Sequence, residues 1–252
     1  MIRLYLILII FFLSVNVDSL SGSIFSKIGE DFSACGNDYA RFFGRGEAFT
    51  IENGIILAGL PAAGFAADKP LQEYFEKQSG NEFKLFYYLG DTRLAAALSL
   101  GTYASGLAFD DGLRETGRQL INSIIFAGVL NGVVKYSFGR ARPPYADGVL
   151  DFNFFESGDS YQSFPSGHTV TAFTLASVLS RRIDKSWATA GLFTAASLTG
   201  IHRMDQNRHW FSDVLAGAAI GYFASKLGSG SSDAYFSMAS GYPKIVFCLF
   251  KY

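Results

Sequence analysis

The stretch at residues 163–179, SFPSGHTVTAFTLASVL, joins a polar turn to an uncharged apolar run. The run that starts at Thr169 is too long for a buried strand, and Pro165 and Gly167 bound it at its start, so the pattern predicts a helix. Similar runs, rich in Ala, Gly, Leu and Phe, lie on both sides of it, at residues 50–67, 94–109, 120–134, 187–201 and 214–226. The sequence therefore predicts an all-α fold, a helical bundle of about six core helices.

Composition narrows the class of protein. Among 252 residues, Lys and Arg number 21 and Asp and Glu 22, so the net charge is −1 and the basic excess needed to bind nucleic acid is absent. Charged residues make up 17% and hydrophobic residues 49%, which excludes a disordered chain and indicates either a membrane protein or a very apolar helical core. Cys35 and Cys248 are too few for a disulfide scaffold; they form one bridge or remain two buried thiols.

The N-terminus is typical of a targeting segment. After Arg3 the chain is uncharged through residues 4–13 and then becomes small and polar, as in a secretory signal peptide. We predict four segments: a signal peptide or N-terminal anchor at 1–19, a lead-in at 20–49, the helical domain at 50–227 and a C-terminal tail at 228–252. Aromatic and β-branched residues in the tail are typical of a short C-terminal β segment packed on the bundle.

The helices are open to two interpretations. Pro61 and the Gly and Ser residues at 101–106 interrupt the runs, which favours a soluble bundle. Residues 110–119 and 181–186 carry Arg and Lys, as cytoplasmic loops do, and they fall on one side of a six-span arrangement, which favours membrane insertion. A cleaved signal peptide, six full spans and an extracytoplasmic site are mutually incompatible, so one of the three must be wrong.

All three histidines of the chain, His168, His202 and His209, lie in polar segments beside apolar runs. His209 and Asp213 are four residues apart and share one face if the last helix begins there. The carboxylate would then keep one imidazole nitrogen protonated and turn the other outward as a nucleophile or base. Alternatively, Asp213 is an acid that only complements the dipole of a helix N-terminus.

Two further elements point to an anion. Ser166 and Gly167 stand directly before a predicted helix, where free backbone N–H groups form an anion site with His168 beside it as a proton donor. An ordinary Ser N-cap would explain Ser166 and Gly167 but not His168.

Positive charge is concentrated near these segments. The sequence KYSFGRARPP contains Lys135, Arg140 and Arg142, and Arg203 and Arg208 follow later in the chain. The planar guanidinium of Arg matches phosphate oxygens. The alternative is that these are surface cations at helix ends, which contribute little.

The chain contains K-x6-RP from Lys135, PSGH ending at His168 and R-x5-H-x3-D from Arg203, in this order. These motifs resemble the three-part signature of the type 2 phosphatidic acid phosphatase (PAP2) superfamily. That superfamily includes lipid phosphate phosphatases, bacterial class A acid phosphatases and vanadium haloperoxidases. The resemblance covers residues 120–226 and implies a helical bundle with the motifs at one end. The family's third motif usually begins Ser-Arg, whereas His202 precedes Arg203 here, which removes one hydroxyl from the phosphate network.

The resemblance implies a role for each matched residue. His209 would attack phosphorus and form a phosphohistidine, Asp213 would orient the His209 ring, and His168 would protonate the leaving alkoxide and then activate water. The expected catalytic set is His209, His168 and Asp213. The expected phosphate-binding set is Lys135, Arg142, Ser166, Gly167 and Arg203. No metal and no other cofactor is implied, and Arg140 and Arg208, outside the matched positions, are expected as surface or substrate-rim charges.

The resemblance thus implies a metal-independent phosphatase that hydrolyses a phosphomonoester or diphosphate of a lipid or lipid-like substrate. We expect it at the extracytoplasmic, periplasmic side of a bacterial envelope, associated with the membrane or integral to it. The alternatives are a soluble periplasmic class A-type acid phosphatase acting on small phosphate esters, a vanadium haloperoxidase, and a catalytically silent phosphate- or lipid-binding membrane protein. The expected partners are the substrate and a membrane, without nucleic acid; the sequence leaves the oligomeric state open.

The loop between the first two motifs, residues 145–162, is the expected specificity element. Phe152, Phe154, Phe155 and Tyr161 either line an acyl entrance or pack the loop on the bundle.

Overall fold

The computed structural model describes residues 22–78 and 84–227. Within these ranges the chain is helical and has no strand; its β pairing is an isolated antiparallel bridge between Arg140 and Phe152. The helices are α1 (Gly22–Gly44), α2 (Ile51–Gly54), α3 (Leu60–Gln78), α4 (Lys84–Tyr87), α5 (Thr92–Phe109), α6 (Asp111–Phe138), α7 (Gly167–Ile183), α8 (Ser186–Asp205) and α9 (Phe211–Ser225). The predicted all-α class is confirmed, whereas the signal peptide or anchor and the β segment of the tail lie outside the described residues.

Each of the six predicted runs forms a helix, and side-chain caps explain where two of them begin. The Asp91 carboxylate accepts hydrogen bonds from the N–H groups of Arg93 and Leu94 at the start of α5. The Asp110 carboxylate accepts one from the N–H of Leu113 at the start of α6. Because these caps satisfy N–H groups that have no partner inside a helix, both helices begin before the apolar residues do.

Pro61 does not interrupt the first predicted helix. α2 continues through a π-helical turn, Ile55–Gly59, into α3, and Pro61 is the second residue of α3. A proline ring crowds the carbonyl four residues earlier, here that of Leu57 inside the π-helical turn, and the wider turn relieves this crowding. The expected break is therefore only a local change of helical pitch.

The apolar pattern did not predict α1, because charged residues occur along its length. The chain divides into two compact units, Met1–Ala34 and Cys35–Tyr252. The described part of the first unit is helical. In the second unit, Phe42 near the end of α1 is buried with Ala48, Phe223 and Leu227.

α7 lies at the centre of the second unit and packs against α6, α8 and α9. Ala127, Val170, Ile220 and Ala224 form one buried cluster between three of these helices. A second cluster, between α7 and α8, consists of Ala172, Ala176 and Ala196. These small side chains allow close helix approach, as the Ala, Gly and Ser content of the runs predicted. The packing places the end of α6 and the starts of α7 and α9 side by side.

α6 is, among the described residues, the one helix long and apolar enough to cross a membrane by length and composition. Only 28% of its apolar window is buried inside the protein. Ile125, Val129 and Val133 follow one another at intervals of four residues and are 42%, 60% and 59% exposed. α6 therefore presents an apolar stripe along one face.

Candidate active site

The motif residues meet at one end of the bundle. Lys135, near the end of α6, donates hydrogen bonds of 2.7 Å from Nζ to the backbone carbonyls of Gln162 and Pro165. The N–H of Ser166, directly before α7, donates to the backbone carbonyl of Asp213 in the first turn of α9 at 3.0 Å. These bonds join the three motifs, and they leave one of the three ammonium hydrogens of Lys135 for an anion.

The His209 ring is buried and its tautomer follows from its partners. Nδ1 lies 2.7 Å from the backbone carbonyl oxygen of Ser163. A carbonyl oxygen only accepts, so Nδ1 carries the hydrogen and Nε2 keeps its lone pair in the neutral ring. Asp213 Oδ2 is 3.7 Å from Nδ1. The predicted pairing of His209 with Asp213 is thus present, but the closer acceptor is the carbonyl of Ser163, which the side-chain pattern did not indicate.

The Asp213 carboxylate is fully buried and receives several hydrogen bonds. Oδ2 accepts from Ser163 Oγ at 2.5 Å and from the N–H of Trp210 at 2.9 Å. Oδ1 accepts from Arg140 Nη1 at 2.6 Å. These hydrogen bonds hold Asp213 in place at the start of α9. The dipole of α9 also stabilises its negative charge there.

His168 is the second residue of α7, and its Nε2 has no hydrogen-bond partner among the described residues. Gly90, in the turn before α5, packs directly on it: a Cβ on Gly90 would lie 2.7 Å from His168 Cβ and 2.8 Å from Thr199 Cγ2. A side chain at position 90 would thus displace His168 or α8, which explains the glycine there.

Tyr87, at the end of α4, contacts three residues that the sequence had singled out. Its ring centroid lies 4.7 Å from the His168 ring and 6.2 Å from the His202 ring. The guanidinium of Arg203 lies 5.9 Å from the Tyr87 centroid, within reach of a cation–π interaction. The sequence gave no signal for Tyr87, because α4 is only four residues long.

The predicted phosphate-binding side chains differ in their hydrogen-bond partners. Arg203 Nε is buried without a hydrogen-bond partner among the described residues, and burial, with Arg142 and Arg208 nearby, lowers its pKa to about 10. Arg142 donates to the Asp159 backbone carbonyl at 2.8 Å and to its carboxylate at 3.0 Å. Since Asp159 is mostly exposed, we expect an incoming phosphate to compete with this carboxylate for Arg142.

Ser166 and Gly167 are placed differently from each other. The Ser166 hydroxyl is fully buried and accepts a hydrogen bond from Thr169 Oγ1 at 2.9 Å. Gly167 begins α7, so its N–H and that of His168 belong to the first turn, which has no intrahelical acceptors. The anion site predicted at the start of α7 would therefore consist of backbone N–H groups.

A cavity of about 410 Å³ opens at this end of the bundle. It is lined by Tyr87, Tyr88, His168, His202, Arg203, Gln206 and Arg208. His209 is not among its lining residues. No group of three or more His, Cys, Asp or Glu side chains in the described ranges has the spacing of a metal site.

The expectation that Arg140 is a surface or rim charge is wrong. Arg140 is fully buried and pairs with Asp68 at 2.7 Å as well as with Asp213. Arg208 does lie at the rim, 49% exposed and 3.8 Å from Asp159. Arg140 appeared exposed in sequence because its partner Asp68 lies 72 residues away.

The aromatic residues of the loop differ in how far they are buried. Phe152 packs between Phe138 and Phe164, with ring centroids at 6.3 and 6.5 Å. Phe154 and Phe155 are 62% and 65% exposed. Phe152 therefore has the packing role, whereas Phe154 and Phe155 each contact one ring of α6, at 6.3 and 5.7 Å, and expose most of their surface.

Acid should destabilise this site through His209. Burial, together with the positive charges of Lys135 and Arg203, lowers the pKa of His209 to about 3, although Asp213 opposes the shift. The unfolded chain binds a proton at this ring below pH about 6.5, so between pH 6.5 and 3 the unfolded state holds more protons than the folded state. The free energy of unfolding should thus fall as pH falls through this window, by up to about 1.4 kcal/mol per pH unit from this ring.

Thermal unfolding of wild type and His209→Gln at pH 6.5 and pH 4.5 measures this contribution. We expect the unfolding temperature of wild type to fall more than that of the variant. Equal losses in both proteins would contradict the assigned buried, neutral state of His209.

The fold and site define a helical bundle in which a histidine–carboxylate pair lies beside clustered cations and a helix N-terminus. Residues 116–232 match the family model of the PAP2 superfamily, and this segment contains all three motifs. It is 37% identical over 142 residues to a lipid A 1-phosphatase of Porphyromonas gingivalis, covering 54% of this chain and 29% of that protein. It is 36% identical over 115 residues to a lipid A 1-phosphatase of Rhizobium etli, covering 44% of this chain and 48% of that protein.

The chain thus spans less than half the length of these curated relatives. Among solved structures, it is similar to a transmembrane PAP2 type phosphatidylglycerolphosphate phosphatase from Bacillus subtilis, with a TM-score of 0.56 and 22% identity. That similarity covers 75% of this chain and 98% of the other chain, and it shows a shared fold.

Proposed function

We propose that this protein is a metal-independent lipid phosphate phosphatase that works through a phosphohistidine on His209. The observation that carries the proposal is the hydrogen bond of His209 Nδ1 to the Ser163 carbonyl, because it leaves the Nε2 lone pair for attack on phosphorus. The pKa of about 3 keeps the ring neutral, and so nucleophilic, at neutral pH.

In the first step, Nε2 of His209 forms a bond to phosphorus while the bond from phosphorus to the lipid oxygen breaks. The electron pair of that bond leaves with the oxygen, which takes a proton from His168. As positive charge develops on the His209 ring, the Asp213 carboxylate at 3.7 Å stabilises it. Lys135, Arg142, Arg203 and the N–H groups at the start of α7 bind the phosphoryl oxygens during transfer.

His168 must hold a proton for this step. Burial first, and then Arg203, lowers its pKa to about 4 in the free protein. The negative charge of a bound phosphate offsets these cations and raises the pKa of His168 in the complex. In the second step the neutral ring takes a proton from water, the hydroxide bonds to phosphorus, the bond to His209 Nε2 breaks, and phosphate leaves.

The described surface supports contact with lipid. The stripe of Ile125, Val129 and Val133 on α6 is exposed, and the exposed ring of Phe155 contacts Tyr136 on the same helix, with centroids 5.7 Å apart. An exposed apolar surface of this kind favours a membrane-associated protein over a soluble acid phosphatase. With the targeting segment predicted at residues 1–19, it supports a site that faces the extracytoplasmic side of the membrane.

The cavity lining supports a substrate with a polar headgroup. Tyr88, Gln206 and Arg208 add hydrogen-bonding groups beside Arg203, the predicted phosphate ligand that lines the cavity. The relatives from Porphyromonas gingivalis and Rhizobium etli are lipid A 1-phosphatases. We therefore rank lipid A 1-phosphate first among the substrates and phosphatidate second.

Phosphate release in EDTA tests the proposal. The full chain in detergent micelles is given lipid A, phosphatidate and p-nitrophenyl phosphate, and initial rates are compared at equal substrate concentration. We expect release from the lipids in EDTA, fastest from lipid A.

Three other outcomes are informative. No release from any lipid phosphate, with or without divalent cations, refutes the proposed function. Release only with added cations refutes metal independence. Release from p-nitrophenyl phosphate alone supports the acid phosphatase alternative.

A further inference from the structure

A buried charged cluster joins Asp213 of the third motif to two residues outside the matched positions, Arg140 and Asp68. Arg140 donates from Nη1 to Asp213 Oδ1 at 2.6 Å and to Ser212 Oγ at 2.7 Å, and from Nη2 to Asp68 Oδ2 at 2.7 Å. Arg140, Asp68 and Asp213 are all fully buried. The guanidinium also lies 4.8 Å from the ring centroid of Phe65 and 5.2 Å from that of Trp210.

Asp68 also contacts the first turn of α9 directly. Its Oδ1 accepts from the N–H of Ser212 at 2.7 Å, and its Oδ2 accepts from Ser212 Oγ at 2.7 Å. A carboxylate of α3 thus caps the N-terminus of α9, a role usually taken by the residue that precedes the helix. Gly64, one turn earlier on α3, makes room for this contact, since a Cβ there would lie 2.9 Å from Ser212 Cα.

The cluster determines how Asp213 faces His209. Arg140 occupies Oδ1 of Asp213, so Oδ2 is the oxygen that receives Ser163 Oγ and lies near the His209 ring. Arg140 also reaches Ser163 by its backbone, because its carbonyl accepts from the Ser163 N–H at 3.0 Å. Both acceptors beside His209 Nδ1, the Ser163 carbonyl and the Asp213 carboxylate, are therefore positioned by Arg140.

Asp68 also sets the net charge of the cluster. Arg140 bears one positive charge and Asp213 one negative charge, so without Asp68 the pair would present almost no net charge to His209. With the Asp68 carboxylate on the second guanidinium nitrogen, the cluster is net negative. That favours the positive charge that His209 gains when it is phosphorylated.

We propose that Asp68 and Arg140 are positioning residues of this site: Asp68 holds Arg140, and Arg140 sets the Asp213 carboxylate and the Ser163 carbonyl against His209 Nδ1. Asp68 lies outside the part of the chain that matches the family. The inference rests on the proposed function for its effect on turnover, but its effect on the His209 tautomer is independent of that function.

The experiment compares Asp68→Asn with Asp38→Asn in the full chain in detergent micelles. Asp38 forms a similar buried pair, with Arg118 at 2.6 Å. Arg118 is 17 residues before Lys135 on α6, about 25 Å along the helix axis. Both substitutions remove one carboxylate charge from a buried arginine pair, so their unfolding temperatures should fall by similar amounts.

Two readouts separate positioning from stability. In Asp68→Asn we expect kcat to fall about 10- to 100-fold while KM stays within about twofold. In ¹⁵N-histidine spectra at pH 7, with the His209 signal assigned from His209→Gln, we expect an Nε2–H tautomer to appear beside the Nδ1–H tautomer. Asp38→Asn should change neither.

Arg140→Lys provides a second variant that keeps the buried charge, in case Asp68→Asn does not fold. One ammonium cannot replace the planar fork between Asp68 and Asp213, so the same two changes are expected. The proposal is overturned if the folded variant keeps the wild-type tautomer and a kcat within twofold of that of Asp38→Asn. If wild type releases no phosphate, the proposed function fails, and an unchanged tautomer alone still overturns the positioning role.

Discussion

His209→Gln should lower kcat/KM for every phosphate substrate by about 10⁴-fold or more, because it removes the atom that bonds to phosphorus. The Gln amide keeps a donor for the Ser163 carbonyl, which His209 Nδ1 binds at 2.7 Å. The loss should therefore report the missing nucleophile rather than an empty buried acceptor. Initial rates with phosphatidate and with p-nitrophenyl phosphate measure the effect, and both substrates should lose activity to the same degree.

Trapping of the covalent intermediate completes this test. Wild type, mixed with ³²P-labelled substrate and quenched in alkali, should retain label on the peptide that contains His209, and the label should be lost in acid, as expected of an N–P bond. His209→Gln should carry none, and Asp38→Asn, remote from the site, should be labelled like wild type. Label on another residue would contradict the assignment of the nucleophile. So would a His209→Gln protein that keeps more than a tenth of wild-type activity.

The helices and the motif histidines could be predicted because their signals are local. An uncharged run of more than ten residues predicts a helix. The spacing of four indicated the pairing of His209 with Asp213, but α9 begins only at Phe211, so the two residues do not share a helix face. That the three motifs meet at one end of the bundle was implied by their resemblance to the PAP2 signature. Local patterns therefore predicted both the fold class and the residues that meet at the site.

The parts that sequence reasoning missed depend on contacts between distant segments. The acceptor for His209 Nδ1 is a backbone carbonyl, and a carbonyl is present at every residue, so Ser163 gave no signal. Arg140 lies in a polar loop, where arginines are mostly exposed, and only its pairing with Asp68 on α3 makes its burial possible. Tyr87 was missed for a third reason, since α4 is too short to show any periodicity.

The residues that the sequence did not indicate differ in their role from the motif residues. The motifs supply the groups that would touch phosphate, whereas Asp68, Arg140 and Ser163 hold those groups in place through fully buried hydrogen bonds. A buried arginine with two carboxylates is costly unless each charge is paired. Its presence beneath His209 is therefore better explained by the geometry it imposes than by stability.

His168→Gln should separate substrates by their leaving group. If His168 protonates the departing oxygen, its loss should lower kcat/KM for phosphatidate by about 10²- to 10⁴-fold. The loss for p-nitrophenyl phosphate should be about tenfold or less, because p-nitrophenolate leaves without a proton. Because kcat/KM reports only the steps up to formation of the phosphohistidine, the later need for His168 to activate water does not obscure the difference. That later need predicts that the variant accumulates labelled enzyme with p-nitrophenyl phosphate.

His202→Gln is the matched control, since His202 lines the same cavity and its ring lies 6.2 Å from that of Tyr87. This variant should affect the two substrates equally. Equal losses for both substrates in His168→Gln would show that another group protonates the leaving oxygen.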